Sequence, residues 1–577
     1  MRRLPRGSAV VIAAIAAFVL LGFVLFSAPG HDDSHITYWA AHTLKEHGQI
    51  LNYNGERVEQ SSSLAHVLLL ALLGAVTRVS LPTLGPLTSI AAGAAAIALT
   101  ARLARAAVPA APRGAELLVA TASWFIYWGF GGLESTLVAA AAVWLVLELD
   151  GYLAAPGRRA LLRFAGASLL FLCARPESPL VLACVLAAAL AYALLRARWA
   201  DRAAGRLREA RTALVAAAVA GAEVALLFGA RRLYFGAFFP NPVYSKAAGI
   251  DVADGLSYLW ANLYPTGLWL IAGVAVGIVQ IARAALREAP CYAAVLSAAF
   301  AVAYVAFIVL TGGDWMTGGR FLSHALPLLV VVTMVGLSAT LGSARRVHIA
   351  LVPLVAVNLV GVVALADSRS SGRPIWSTFG LREALKARVG DRDYSWFELA
   401  NKPHLRDTTI TDVVLDAMRE IKAKKPEHRF VVMSSQAGMT AYHVFKEHYG
   451  SAEFIDTCSL ATRDFPTCLP PGVLSRRRIG MVLNFRTYFD KQAMIDQRCG
   501  TRRPDVVFDH SGRGVEAILE RKGYSIVYRQ RGPIKNEGLG PWLRNTVPSD
   551  TFVAIDTALL AGTSIEGKRT SYKWNIQ

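Results

Sequence analysis

Cysteine is scarce in this chain, six in 577 residues, and no spacing among them matches a metal site, which argues against a structural zinc centre. Cys173, Cys184 and Cys291 fall in or beside apolar runs and read as apolar fillers, whereas Cys458, Cys468 and Cys499 lie in a polar tail where an oxidising compartment permits a bridge. Cys458 to Cys468 is the expected pair, with three free thiols as the alternative. Acidic residues are also few, 41 against 60 Lys and Arg, leaving a net charge of +19. That excess does not indicate nucleic acid, because the arginines cluster between apolar runs as a topology signal. No small-residue cleavage site leads from the first apolar run into a soluble sequence, so residues 8–28 read as a retained span and not as a signal peptide. Polar residues are nearly missing from the apolar runs themselves, which are mostly Ala, Leu and Val; a transporter or flippase would need a polar path through them.

What is present is hydrophobic: 54% of residues, with a mean hydropathy of +0.40, gathered into long runs that define a polytopic α-helical membrane protein. Arginine clusters at Arg2/Arg3/Arg6, Arg102/Arg105/Arg113, Arg158/Arg159/Arg163, Arg196 to Arg211, Arg283/Arg287 and Arg345/Arg346 are placed inside by the positive-inside rule. About eleven crossings satisfy them, at 8–28, 85–107, 115–130, 134–150, 160–174, 178–195, 212–230, 260–282, 291–311, 322–341 and 347–366. Counting Leu64 to Val79 as a further span would invert everything downstream. It is therefore laid on the outer face and, with a helix from Ile36 to His47, makes the first external loop (29–84) a membrane-hugging platform.

Residues 1–367 thus form a transmembrane domain with a cytoplasmic N-terminus, and 368–577 a soluble domain outside. Short β-rich runs in the tail (Phe430 to Ser434, Ile479 to Asn484, Asp505 to Phe508, Ser525 to Tyr528, Phe552 to Ile555) alternate with helical stretches such as Thr411 to Lys424 and read as an α/β fold.

The polar residues that topology does not explain collect on the external side, in five loops. They are Asp32, Asp33, His35 and Tyr38, with Asn52 to Glu59 further on; Gly131 to Ser135 with Glu134; Arg175-Pro176-Glu177; Arg231 to Lys246 with Asn241 and Tyr244; and Gly312 to Arg320 with Asp314 and Trp315. A carboxylate pair beside a span has no part in holding a helix in lipid, so Asp32 and Asp33 mark a reaction site, with a solvated loop as the plain alternative. Arg and Lys bind phosphodiesters, Arg in two-pronged fashion and Lys as a point charge, which makes Lys246, Arg320 and Arg175 candidates for a lipid-linked phosphate. A carboxylate can accept the proton of an acceptor hydroxyl or steady an oxocarbenium-like transition state. Arg175 can instead pair with Glu177, Glu134 can cap its helix, and Lys246 and Arg320 can be interfacial anchors. The vicinal acids can also hold Mg2+ or Ca2+, although nothing else in the sequence completes a cage.

These residues resemble a known pattern. His31-Asp32-Asp33-Ser34-His35-Ile36-Thr37-Tyr38, His47-Gly48, Leu51 to Glu59, Gly132-Leu133-Glu134-Ser135, Arg175-Pro176-Glu177, Phe235-Gly236 to Pro240-Asn241-Pro242 with Lys246, and Gly312-Gly313-Asp314 with Arg320 are similar to bacterial arabinofuranosyltransferases of the GT-C class. The resemblance implies a GT-C fold, surface-lying helices in the first loop, a periplasmic C-terminal domain, a decaprenyl-phosphate-linked arabinofuranose donor, and a catalytic first-loop acid, Asp33 or Asp32. It departs where that family usually reads Gly-Phe/Tyr-Thr-Ser, since this chain has Gln60-Ser61-Ser62-Ser63; related architectures modify pilin or other surface glycans. The expectation is a bacterial inner-membrane glycosyltransferase with an extracytoplasmic glycan or protein acceptor, His35, Tyr38, Glu134, Glu177, Asn241, Tyr244, Asp314 and Trp315 lining the substrate. The competing readings are a flippase for the same lipid and a non-catalytic scaffold for the tail.

Overall fold

The computed structural model describes residues 6–25, 32–108, 113–199, 203–246, 249–263, 266–287, 291–314, 318–371, 405–462, 465–470, 472–477, 480–511, 515–530, 550–566 and 570–572. The membrane half contains α1 (Arg6–Leu25), α2 (Ser34–His47), α3 (Leu64–Thr77), α4 (Leu81–Ala107), α5 (Ala115–Ala120), α6 (Ser123–Phe130), α7 (Ser135–Ala154), α8 (Arg158–Ala174), α9 (Ser178–Trp199), α10 (Ala203–Phe235), α11 (Asn241–Lys246), α12 (Val252–Leu263), α13 (Leu268–Leu286), α14 (Tyr292–Leu310), α15 (Arg320–Leu341) and α16 (Ala344–Ser371). Among the described residues, eight helices are long and apolar enough to cross a membrane. The chain is a polytopic membrane protein.

Of the expected spans, 8–28, 115–130 and 160–174 are not among these eight: the apolar helix of the first is Ser8–Phe23, and α8 has 17 residues. The run 115–130 breaks at Thr121 and Ala122 into α5 and α6, and Asn358 of α16 donates to the freed Leu118 carbonyl at 3.0 Å, as membrane-buried irregular backbone requires. The run 260–282 begins as a crossing only at Leu268, because α12 ends at Leu263. Of the eight crossing helices α15 is the most deeply buried, and it meets α13 closely: a Cβ on Gly277 would stand 2.2 Å from the Val332 carbonyl oxygen.

Both first-loop helices are 14 residues long. Each therefore covers about 21 Å, short of a ~30 Å hydrocarbon core. Helix α3 buries Val67, Leu70 and Ala71 and exposes Leu68, Leu72 and Val76, a second apolar stripe at helical spacing that suits the interface. Helix α2 is pinned to the bundle by Tyr38, whose hydroxyl donates to the Gly132 carbonyl at 3.1 Å. A Cβ on Gly85 or Gly132 would stand 2.0 or 2.2 Å from that hydroxyl, so only glycine admits the ring there.

In the tail, β1 (Phe430–Ser434), β2 (Ala452–Asp456), β5 (Val506–Ser511), β6 (Tyr524–Gln530), β7 (Asp550–Asp556) and β8 (Thr570–Tyr572) form one sheet in the order β2-β1-β5-β7-β6-β8, and β3 (Ser475–Arg477) pairs with β4 (Gly480–Val482). Strands β2, β1 and β5 run parallel; β7 is antiparallel to both β5 and β6. Helices α17 (Leu405–Lys424) and α18 (Met439–His448) pack together beside this sheet.

The expected Cys458–Cys468 bridge is not formed. Cys468 is bonded to Cys499, with 5.3 Å between their Cα atoms, at the ends of two short tail helices, 465–468 and 492–499, that pack together. Cys458 is instead a buried free thiol just past the end of β2. Spacing in sequence pointed to the nearer pair, whereas the helix packing brings the farther one together.

The segment between α1 and α4 and the tail share one apolar core. Trp39 stacks on Tyr53 at 4.9 Å, and Tyr53 meets Phe445 and Phe454 at 5.2 and 5.3 Å. Such aromatic pairs add about 0.5–1.5 kcal/mol each beyond their area. Reciprocal bonds reinforce the joint: Asn54 donates to the Phe454 carbonyl at 3.1 Å and accepts from its N–H at 2.7 Å.

Candidate active site

The loop residues singled out by sequence converge between the membrane half and the tail, but in two electrostatically different groups. In the first, Arg175 sits at the end of α8 with Glu134 at 2.6 Å from Nη1 and Glu177 at 2.9 Å from Nε. All three side chains are at most 7% exposed, so the guanidinium is neutralised twice in a low-dielectric setting where removing one partner is costly. Tyr304 of α14 extends the network by donating to Glu177 at 2.8 Å, and it lies 2.5 Å from His324 Nδ1 on α15. The pairing alternative for Arg175 and Glu177 is thus the observed one.

The second group is built on Asp33. It stands at the start of α2, surrounded by protein yet still partly accessible to solvent, within electrostatic reach of Lys246, Arg320, Asp314 and Glu134. Burial pushes its carboxyl above the usual carboxylate range, and the two cations oppose that rise. Burial lowers the Lys246 ammonium below the ordinary lysine value and nearby Arg320 lowers it further, against the pull of Asp314 and Asp33. Lys246 forms no ion pair among the described residues. Arg320, at the first position of α15, holds Asp314 as an ion pair at 2.6 Å, without hydrogen-bond geometry.

Asp32 has a different task from its neighbour. Its Oδ1 accepts from the Met439 N–H at 2.6 Å, at the N-terminus of α18, where the helix dipole favours a carboxylate. A Cβ on Gly438 would lie 2.3 Å from this carboxyl group, so the tail approaches Asp32 through a glycine. Asp32 therefore bonds to the tail, and Asp33 lies within electrostatic reach of the cations.

Most of the remaining expected site residues make contacts within the protein. His35 is buried, with Nδ1 3.2 Å from the Asp32 carbonyl and its ring edge-on to Tyr38 and Tyr442. The Tyr38 hydroxyl is occupied by Gly132, and Glu134 and Glu177 by Arg175. The Asn241 side-chain amide donates toward the carbonyls of Ser459, Leu460 and Thr462 in the tail. Tyr244 is half exposed and its hydroxyl accepts from the Phe239 N–H at 3.3 Å. Trp315 lies outside the described residues. No group of three His, Cys, Asp or Glu side chains able to hold a metal occurs among the described residues. Of the vicinal acids, Asp32 Oδ1 accepts from the Met439 N–H and Asp33 lies within electrostatic reach of two cations.

Sequence reading missed Tyr304 and His324, which lie inside apolar spans and join the Arg175 network. Their signal was available: His324 falls one helical turn after Arg320, on the same face. It also missed how Glu59 is used, since this buried carboxylate takes Arg231 in a two-pronged contact at 2.9 and 3.0 Å.

No family model matches the chain, and no curated protein matches it by sequence. Among solved structures it is similar to ArnT from Cupriavidus metallidurans in the apo state, at 13% identity and a TM-score of 0.52, over 96% of this chain and 99% of that one. The same protein bound to undecaprenyl phosphate gives 13% identity and a TM-score of 0.51, over 95% and 98%. The Archaeoglobus fulgidus oligosaccharyltransferase complexed with Zn and sulfate gives 14% identity and a TM-score of 0.47, over 87% of this chain and 68% of that one. The near end-to-end likeness to ArnT shows the fold: this is a GT-C-type polytopic membrane protein.

Proposed function

We propose that the protein is a membrane glycosyltransferase that takes a sugar, arabinofuranose by its sequence resemblance, from a polyprenyl-phosphate donor and passes it to a hydroxyl of a glycan or surface-protein acceptor. The observation that carries this reading is the setting of Asp33, a partly accessible carboxylate facing cations from two other loops, Lys246 and Arg320. In the reaction the acceptor oxygen attacks the anomeric carbon and its proton passes to Asp33. The bond from that carbon to the phosphate oxygen breaks, and polyprenyl phosphate leaves with the bonding electrons, its charge stabilised by Lys246 and Arg320. Arg175, already balanced by two carboxylates, is framework in this reading and not a phosphate ligand.

The site faces the extracytoplasmic side of a bacterial plasma membrane in this reading, with the N-terminus inside. The arginine clusters support that orientation, and so does the Cys468–Cys499 bridge, because disulfides persist in oxidising compartments. The ArnT structure with undecaprenyl phosphate supports a polyprenyl-phosphate ligand for this fold. The test is transfer by the purified protein in lipid from polyprenyl-phosphate arabinofuranose to an oligoarabinoside. Product formation that Asp33→Asn abolishes supports the reading. Movement of the lipid across the bilayer without product would indicate a flippase, and neither activity a scaffold.

A further inference from the structure

Lys246 sits at the end of α11, a helix of six residues whose first residue, Asn241, is held by the tail and by Glu59. At its first position, the Asn241 Nδ2 faces three tail carbonyl oxygens, of Ser459 at 2.7 Å, Leu460 at 2.9 Å and Thr462 at 3.2 Å, while its N–H donates to the Glu59 carbonyl at 2.8 Å. The tail loop is itself braced from behind. Asp456, buried at the end of β2, accepts from the N–H groups of Cys458 at 2.9 Å and of Leu460 and Ala461 at 2.7 Å. Two peptide groups are therefore gripped from both sides: those joining Ser459 to Leu460 and Leu460 to Ala461 give their N–H to Asp456 and their C=O to Asn241. An N–H held by a carboxylate makes the carbonyl of the same peptide a better acceptor. The next carbonyl, of Ala461, accepts from Asn52 at 3.0 Å. Ser459 is held at φ +53°, a left-handed conformation that a non-glycine residue keeps only when its surroundings over-determine it. This loop lies beside the proposed reaction site, since its Cys458 is within electrostatic reach of both Lys246 and Asp33.

We infer that Asn241 is a positioning residue through which the Asp456-braced loop of the tail sets the place of Lys246, so that the tail controls the affinity for the polyprenyl phosphate. The inference rests on the reading of Lys246 as a phosphate-binding group. It separates this contact from the other loop-to-tail contacts, such as Asn54 with Phe454, which hold the same tail without touching α11.

The experiment uses the full chain in nanodiscs, with undecaprenyl phosphate as the binding probe and steady-state kinetics on the lipid-linked donor. Asn241→Ala is expected to raise both the probe Kd and the donor KM about tenfold, with kcat within about twofold, the size of one or two lost hydrogen bonds. Asp456→Asn, which weakens the loop from behind, shifts Kd in the same direction by a smaller factor. Asn54→Ala leaves Kd within about twofold, on the same scale of hydrogen-bond energies. Equal shifts from Asn241→Ala and Asn54→Ala would mean generic docking and overturn the inference, as would an unchanged Kd in Asn241→Ala. Lys246→Ala is the separating control. If it leaves Kd unchanged, the phosphate-binding reading fails and the inference with it; if it weakens binding while Asn241→Ala does not, only the inference fails.

Discussion

Arg175 and Lys246 are both basic, both at loops between helices of the membrane half and both marked by sequence as phosphate ligands, yet the structure gives them opposite surroundings. Arg175 is clamped by Glu134 and Glu177 and closed off from solvent. Lys246 stays partly accessible, with Asp33 and Asp314 near enough to be felt but not paired to it. A cation balanced by two carboxylates, as Arg175 is, reads as framework, because a ligand gains little by replacing a partner in place; Arg320 has Asp314 alone as its ion-pair partner among the described residues and keeps capacity for a phosphate. A charge left within reach of solvent can be completed by a ligand, and burial raises what that completion is worth. The same contrast separates the vicinal acids, Asp32 docked on Met439 and Asp33 turned to the cations.

The most direct way to break this contrast is to neutralise each acid in turn. Asp33→Asn should lower kcat by ~100-fold or more, the range for losing a positioned general base, while leaving the melting temperature unchanged or raised. The second half follows in sign from the raised carboxyl: an ionised group that burial disfavours costs stability at neutral pH, and the amide relieves that cost. Asp32→Asn should instead retain most of kcat and loosen the tail, visible as faster proteolysis or hydrogen exchange of α18. Equal loss of kcat from both would dissolve the distinction.

Next in size is the framework side. Arg175→Met strands Glu134 and Glu177 in a buried setting, a penalty of about 3–5 kcal/mol when one member of such a network is removed. The expected result is poor folding or a large fall in melting temperature, measured in detergent. Lys246→Met should fold normally and show its defect as donor KM. A well-folded Arg175→Met with a KM defect like that of Lys246→Met would place Arg175 on the phosphate.

Most of this organisation was legible in the sequence, and the failures have physical causes. Charge clusters separated the loops that carry the site from the arginine-rich ones, and the helix from Ile36 to His47 formed as α2 with its start shifted to Ser34. The strand at Phe430 to Ser434 formed as expected, whereas β2 was hidden because Glu453 and Asp456 interrupt a five-residue apolar pattern. Pairwise roles were harder. Nothing local says that Asn241 turns toward the tail or that Arg175 meets Glu134, 41 residues away, because such contacts are decided by tertiary packing. Asp32 and Asp33 could not be told apart for the same reason: the glycine that admits Asp32 to the tail stands at position 438.

The smallest expected effect concerns pH, and it tests the accessible group alone. In the proposed reaction Asp33 acts ionised, so the acid limb of kcat/KM should fall at a pH above the ordinary carboxylate value, because burial raises that carboxyl. Lys246 must be protonated to hold the phosphate, so the alkaline limb should fall below the ordinary lysine value, because burial and Arg320 lower that ammonium. The bell is thus narrowed from both sides. Lys246→Arg restores a cation that stays charged, so it should extend the alkaline limb upward and leave the acid limb nearly in place, at some cost in donor KM from the changed shape. If the alkaline limb did not move, its ionisation would belong to another group, and the assignment of Lys246 to the phosphate would lose its electrostatic support.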